Sequence, residues 1–363
     1  MLPFLNEFFG HPTSGHWFGR AAQEAIEDAR SNVASLLGCH PSEIVFTSGG
    51  TESVNLALLG VARAVSRNLP ELRPHMISTQ LEHPCVRQCA NQLEREGWEV
   101  SYIGCDRHGI VRMDELTNAI RPNTRLMSII HANHRIGTVQ PISQISELCH
   151  QRDILLHTDA AQSVGKIECN VDELGVDLLS LSGHKMYAPK GIGALYIRLG
   201  VPIEAIMFGE GCEAGLRPGT ANVPHIVGFG QAARLAQAGL ASTIDRTSEL
   251  RDRFHRQLES LIGRAIRVHG QEAPRLPGLL SIELPGVSAA ELHRRLPEVC
   301  FGPAIPNNGR SGGRVTNTTH CALGLTEQQS ANTLLISIGW TTSEDELQKT
   351  LHLIASAYES LVE

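Results

Sequence analysis

Short runs of β-branched and other apolar residues alternate along the chain with longer stretches whose apolar positions recur every three or four residues. Residues 43–47, 75–78, 99–103, 126–131, 154–158, 178–181 and 193–197 read as strands. After the first of them come Ser48, Gly49, Gly50, Thr51 and Glu52, and then Val54, Leu58, Val61 and Val65 lie on one apolar stripe of a helix. Residues 141–151 carry a similar helical pattern between two later strands. This alternation predicts an α/β fold with a mostly parallel seven-stranded sheet covered by helices on both faces. The texture changes near Gly239. Residues 242–262 form a charged helical pattern, followed by a strand at 279–284, a helix from Ser288 and a closing helix from Ser343. The pattern predicts a large α/β domain over residues 1–241 and a smaller α+β domain over 242–363. Between the halves of the latter, residues 302–317 are dense in Gly, Pro, Asn and Ser, a long loop of the kind that often carries function.

Length and charge narrow the classes. The 363 residues suit two domains at roughly 100–200 residues each. Lys and Arg total 31 against 38 Asp and Glu, a net charge of −7, which argues against a nucleic-acid partner. No apolar stretch reaches the roughly 18 residues of a membrane helix. Residues 1–7 lack a basic leader and a cleavage site, so the expectation is a soluble cytoplasmic chain with no membrane partner. The nine cysteines read as reduced thiols rather than a disulfide framework. Cys85 and Cys89 have no second closely spaced pair, so neither structural zinc nor a metal-dependent hydrolase is supported.

Four segments carry chemistry. Lys185 leaves an apolar strand into a Gly-flanked loop, where its amine is a candidate for covalent chemistry with a carbonyl; a surface lysine beside a turn is the alternative. Asp159 is the first charged residue after the strand at 154–158, placed either to hold a protonated ring nitrogen or to cap a helix. Gln162, one turn on, suits donation to a phenolic oxygen. The Thr47–Glu52 run joins a strand to an amphipathic helix through small residues and suits a phosphate, although it is neither a Walker nor a dinucleotide motif. His83 follows a strand end, suited to stacking on a flat heterocycle, to moving a proton, or simply to capping. Together they supply the partners that pyridoxal 5'-phosphate requires.

With these motifs the chain resembles the class V aminotransferase superfamily of fold-type I pyridoxal-phosphate enzymes, and within it the cysteine desulfurases and selenocysteine lyases. The likeness runs from about Phe4 to the C-terminus and is densest between Gly10 and Asn222. It implies that Lys185 is the Schiff-base lysine, Asp159 the partner of the pyridine nitrogen, Gln162 the donor to the ring oxygen and His83 the stacking imidazole. It implies phosphate ligands at Gly50, Thr51, Ser182 and His184. Thr220, in Arg217-Pro218-Gly219-Thr220, matches the threonine that reaches the neighbouring subunit's phosphate, so a homodimer with shared sites is implied. Lys185 and His83 are the implied catalytic groups.

Several positions depart from the family pattern. Residues 302–313 contain no cysteine where desulfurases carry the persulfide-forming thiol; Cys321 is the nearest downstream, expected to be a buried helical thiol, with takeover of the persulfide role as the alternative. Of two paired asparagines near the cofactor, Asn133 survives and His134 replaces the second. The strand that carries the substrate-carboxylate arginine reads Leu334-Leu335-Ile336-Ser337-Ile338-Gly339-Trp340, and leucine does not replace a guanidinium fork. Arg135 and Arg310 are the candidate replacements. The family's opening strand and Asn-Ala-Thr-Thr-like turn are missing ahead of Met1, which implies a late start or a lost wall of the site. The reading is a desulfurase-like lyase acting on cysteine, cystine or selenocysteine, with a possible sulfur-acceptor protein. Its alternatives are another α-carbon reaction, or a degenerate cofactor-binding homologue with a regulatory role.

Overall fold

The computed structural model describes residues 1–303 and 318–362, so the cysteine-free loop and Arg310 lie outside the described residues from position 304 onward. The chain divides into two compact units. One comprises Met1–Ile103, Met113–His131 and Gln140–Leu240; the other comprises Gly104–Arg112, Ala132–Val139 and Ala241–Glu363.

The first unit is built on seven strands: β1 (Ile44–Thr47), β2 (His75–Thr79), β3 (Glu99–Ile103), β4 (Thr124–Ile130), β5 (Leu155–Asp159), β6 (Leu178–Ser182) and β7 (Gly193–Ile197). Their order is β1-β7-β6-β5-β4-β2-β3. Strands β3, β2, β4, β5 and β6 run parallel, whereas β7 is antiparallel to both β6 and β1. Two reversals restore direction, so β1 ends at the same edge as β6. β2, β6 and β7 are buried at every residue, as strands covered on both faces must be. Helix Gly50–Asn68 lies against the sheet with Val54, Leu58 and Val61 fully buried, each such side chain stabilising by roughly 1.5–3 kcal/mol.

The second unit contains a four-stranded antiparallel sheet of β8 (Arg267–Val268), β9 (Leu279–Glu283), β10 (Gly302–Pro303) and β11 (Thr333–Ser337), ordered β10-β11-β9-β8. Leu280 and Ile282 of β9 and Leu334 and Ile336 of β11 share a core with Leu250, Phe254 and Leu258 of helix Val223–Ile262 and Ile354 of helix Glu344–Val362. Helix Val223–Ile262 runs unbroken for 40 residues through the change of texture read near Gly239. Composition changes there because the surroundings change, while nothing in the local sequence stops a helix: the stretch holds no proline after Pro224.

Candidate active site at the carboxyl edge of the sheet

The reversal at β7 matters for chemistry, because it brings the ends of β1, β2, β4, β5 and β6 to one edge. Open α/β sheets bind their ligands there. Thr47 pairs with Gly193, and Gly193 pairs with Ser182, so the three stand side by side across adjacent strands. A Cβ at Gly193 would lie 2.7 Å from the Gly49 backbone, so only glycine lets the 48–50 turn close over β7. The helix then starts at Gly50, where an added Cβ would meet the Ser182 side chain at 3.3 Å and Ala161 at 3.8 Å. Three chain segments thus converge. The first amides of a helix have no partner within it and carry the positive end of its dipole. Glu52 steadies this start from both sides: it accepts from the Ser48 N–H at 2.7 Å and pairs with Arg217 at 3.1 Å. Thr51 is exposed beside a cleft of about 410 Å³ that His83, Cys85, Asn55 and Gln88 also line.

Lys185 lies in a single 3₁₀ turn, Gly183–Met186, directly after β6, and is half-buried rather than a free surface lysine. The turn closes at Tyr187 in the left-handed region, φ +66°. Ser182 Oγ lies 2.9 Å from His184 Nδ1. Burial holds the His184 imidazole below its usual range, and the charges of Lys185, Lys190 and Lys166 push the same way. Lys166 is itself pushed down to about 8 by burial and by Lys185. The charges that push these two groups down are all lysines, so positive charge gathers at this corner.

Asp159 ends β5 and is 5% exposed. Its Oδ1 accepts the Ala161 N–H at 3.0 Å, a cap to a turn rather than to a helix. Burial pushes the Asp159 carboxyl up, opposed by that N–H and by the charge of His83. A carboxylate so placed is poorly compensated by the protein alone and favours a cationic partner. His83 caps helix Pro84–Arg95: Nδ1 accepts the Cys85 N–H at 3.3 Å and lies 3.0 Å from Cys85 Sγ. With Nδ1 accepting, the ring N–H left to face outward is that of Nε2. Gln162 is half-buried three residues beyond Asp159, its Oε1 accepting from Lys166 Nζ at 3.1 Å.

Thr220 is exposed, with its hydroxyl 3.3 Å from His11 Nε2. Asn133 belongs to the second unit, where it is fully buried; Oδ1 accepts the N–H groups of Arg135 and Ile136, and Nδ2 donates to Thr319 at 3.2 Å. Cys321 is helical as expected, but it is exposed rather than buried, because it occupies the outward side of the short helix Thr318–Ala322, whose inward positions are Thr319 and His320. Leu334 is fully buried in the core of the second unit, and Arg135 is half-buried there, its guanidinium pushed below its usual range by burial alone.

Two groups were not singled out from sequence. Glu82 is completely buried beside His83; its Oε1 accepts from Thr79 Oγ1 at 2.6 Å and from the Ile130 N–H at 2.9 Å, while among the described residues Oε2 meets no partner. Burial pushes this carboxyl up to about 8. The other is Lys166, whose signal was its spacing of four from Gln162.

Fold and site together define a vitamin B6-type α/β enzyme scaffold, and the comparisons make the class specific. Residues 1–349 match the class V aminotransferase family, and the chain belongs to it. It is 40% identical over 365 residues to the cysteine desulfurase IscS of Dictyoglomus turgidum, covering 99% of this chain and 90% of that protein. The IscS of Haemophilus influenzae is also 40% identical, over 99% of this chain and 89% of its own length. Among solved structures, a NifS-like protein superimposes with a TM-score of 0.91 at 32% identity, covering 99% of this chain and 94% of the other. SspA in complex with cysteine gives 0.80 at 34% identity over 93% of each chain. The fold is accordingly that of the fold-type I enzymes, and the family depends on pyridoxal 5'-phosphate. The residues present fit this group: clustered lysines beside open helix amides suit its phosphate, and the under-compensated Asp159 suits its ring nitrogen.

Proposed function

We propose that this protein is a pyridoxal-phosphate-dependent C–S or C–Se lyase of the cysteine desulfurase type, acting on cysteine, its disulfide cystine or its selenol analogue selenocysteine. The observation that carries the reading is the convergence of Lys185, Asp159 and the Gly50–Ser182 cradle on one sheet edge. When bound, the cofactor supplies an electron sink for bonds breaking at the amino-acid α- and β-carbons. The rest falls to the protein. The amides of Gly50 and Thr51, with the Ser182 hydroxyl and His184, bind the phosphate. Asp159 holds a proton on the ring nitrogen by remaining charged once a cation faces it. His83 stacks against the ring, its orientation set by the Cys85 N–H. Gln162 donates from Nε2 to the ring oxygen. Lys185 Nζ holds the cofactor and, once released, moves the proton at the substrate α-carbon.

Asn133 and Thr220 complete the set, Thr220 acting across a homodimer. Delivery of sulfur to an acceptor protein is part of the reading, supported by the relatives named cysteine desulfurase, and dimerisation is part of it through the family match at Thr220. Among the described residues no helix is long and apolar enough to cross a membrane. A second reading, a cofactor-binding homologue that has given up turnover, is favoured by one observation: the β11 stretch presents Leu334 and Leu335 in place of a guanidinium. Holoprotein incubated separately with cysteine, cystine, selenocysteine and alanine, with spectrum and products followed, separates the two. Sulfide or selenide release that vanishes in Lys185→Ala supports the lyase; no spectral change with any of the four supports the second reading.

A further inference from the structure

A second amine stands close to Lys185 and has no role in the chemistry above. Lys166 is half-buried in the turn after β5, and among the described residues the one hydrogen bond of its side-chain amine is to Gln162 Oε1, at 3.1 Å. Among the described residues no carboxylate pairs with it. A buried ammonium is costly unless it is held for a purpose, since desolvation and like charge both act against it; here they bring Lys166 down to about 8. The charged groups facing it are cationic, with Lys185 acting on it directly and Lys166, Lys185 and Lys190 all acting on His184.

The geometry also decides which end of Gln162 is available. An ammonium has donors only, so it must take the amide oxygen. The amide nitrogen is thereby turned away from Lys166, and among the described residues nothing accepts from it. We propose that Lys166 is a positioning residue that locks the Gln162 amide by its oxygen, so that the nitrogen is the end presented to the cofactor's ring oxygen, and that it biases this corner toward anions. The inference rests on the reading of Gln162 as a cofactor contact.

The test uses the full-length holoprotein and its apo form. Lys166→Met is expected to raise the dissociation constant for pyridoxal 5'-phosphate about tenfold, the worth of a charge-assisted hydrogen bond and its neighbouring field. It should also raise the pH at which the bound cofactor's visible band changes, by roughly one unit, because a nearby cation that disfavoured protonation is gone. Lys166→Arg, which keeps the charge and the donor, should restore most of both. If the Met variant is insoluble, Lys166→Gln is read in its place. Coupling to Gln162 is measured in a double-mutant cycle: in a Gln162→Leu background, where only the charge of Lys166 still acts, Lys166→Met should raise the dissociation constant by clearly less than in the wild-type background. Unchanged band midpoint and affinity in Lys166→Met, or fully additive effects in the cycle, would overturn the proposal. Failure of wild-type protein to bind the cofactor would instead overturn the parent reading, so the two failures are distinguishable.

Discussion

Asp159 and Glu82 are two buried carboxyls with different fates, and the difference lies in what meets each oxygen. Asp159 has one backbone donor and the charge of His83 to favour ionisation. Asp159→Asn keeps the shape and removes the charge, so kcat for any α-carbon reaction should fall about 10- to 100-fold while the cofactor is retained; steady-state kinetics on the holoprotein checks it. Among the described residues Glu82 has no cation at hydrogen-bond distance and one oxygen without a partner. Its folded value near 8 lies above its ordinary 4.5, so the folded state holds the proton more tightly. The stability this contributes is complete below about 4.5 and is lost as pH rises through 8. Glu82→Gln, which cannot ionise, should therefore gain at least about 1 kcal/mol over wild type between pH 7 and pH 9.5 in denaturant titrations. A wild type and variant that change in parallel would contradict this. Sequence showed the positions of Lys185, Asp159, His83 and Gln162 because each follows a readable strand end. It did not show Glu82, because a carboxyl one residue from His83 looks solvated until the β4 backbone is placed against it.

Elements carry the site by closeness of backbone. The pairing Thr47–Gly193–Ser182 works only because Gly193 leaves room for Gly49. Gly193→Ala should destabilise the first unit by about 1–3 kcal/mol through overpacking and should weaken cofactor binding more than a distant variant of equal instability. Equilibrium dialysis set against such a control separates the two effects. The strands and the stripe of Val54, Leu58, Val61 and Val65 were legible because period-2 and period-3.6 patterns are local. The antiparallel placement of β7 was not, since direction is set by partners far along the chain. The same holds for residues 104–112 and 132–139, which precede the change of texture yet belong to the second unit. The continuous helix Val223–Ile262 conceals the division instead of marking it.

Across the whole molecule, buried histidines set the acid response. His75 and His131 lie near 4 and His157 near 3 in the first unit, and His269 near 4 and His320 near 3 in the second, all pushed down by burial. His157 shows why: it is fully buried between the hydroxyls of Ser128 and Ser180 in the middle of the sheet. Unfolded, each would titrate near 6.5, so the unfolded chain binds more protons as pH falls from about 6.5 toward 4, and stability declines over that window. Differential scanning calorimetry should find an apparent Tm lower by about 10 °C or more at pH 5 than at pH 7.5. A flat profile would mean that these rings are solvated.

The central claim is that Lys185 is the covalent anchor of pyridoxal 5'-phosphate. Borohydride reduction of the holoprotein, followed by peptide mass spectrometry, tests it most directly. The account predicts one phosphopyridoxyl adduct, on the peptide bearing Lys185 and lost in Lys185→Ala. An adduct carried by Lys166 or Lys190 in the wild type, or no adduct at all, would contradict it.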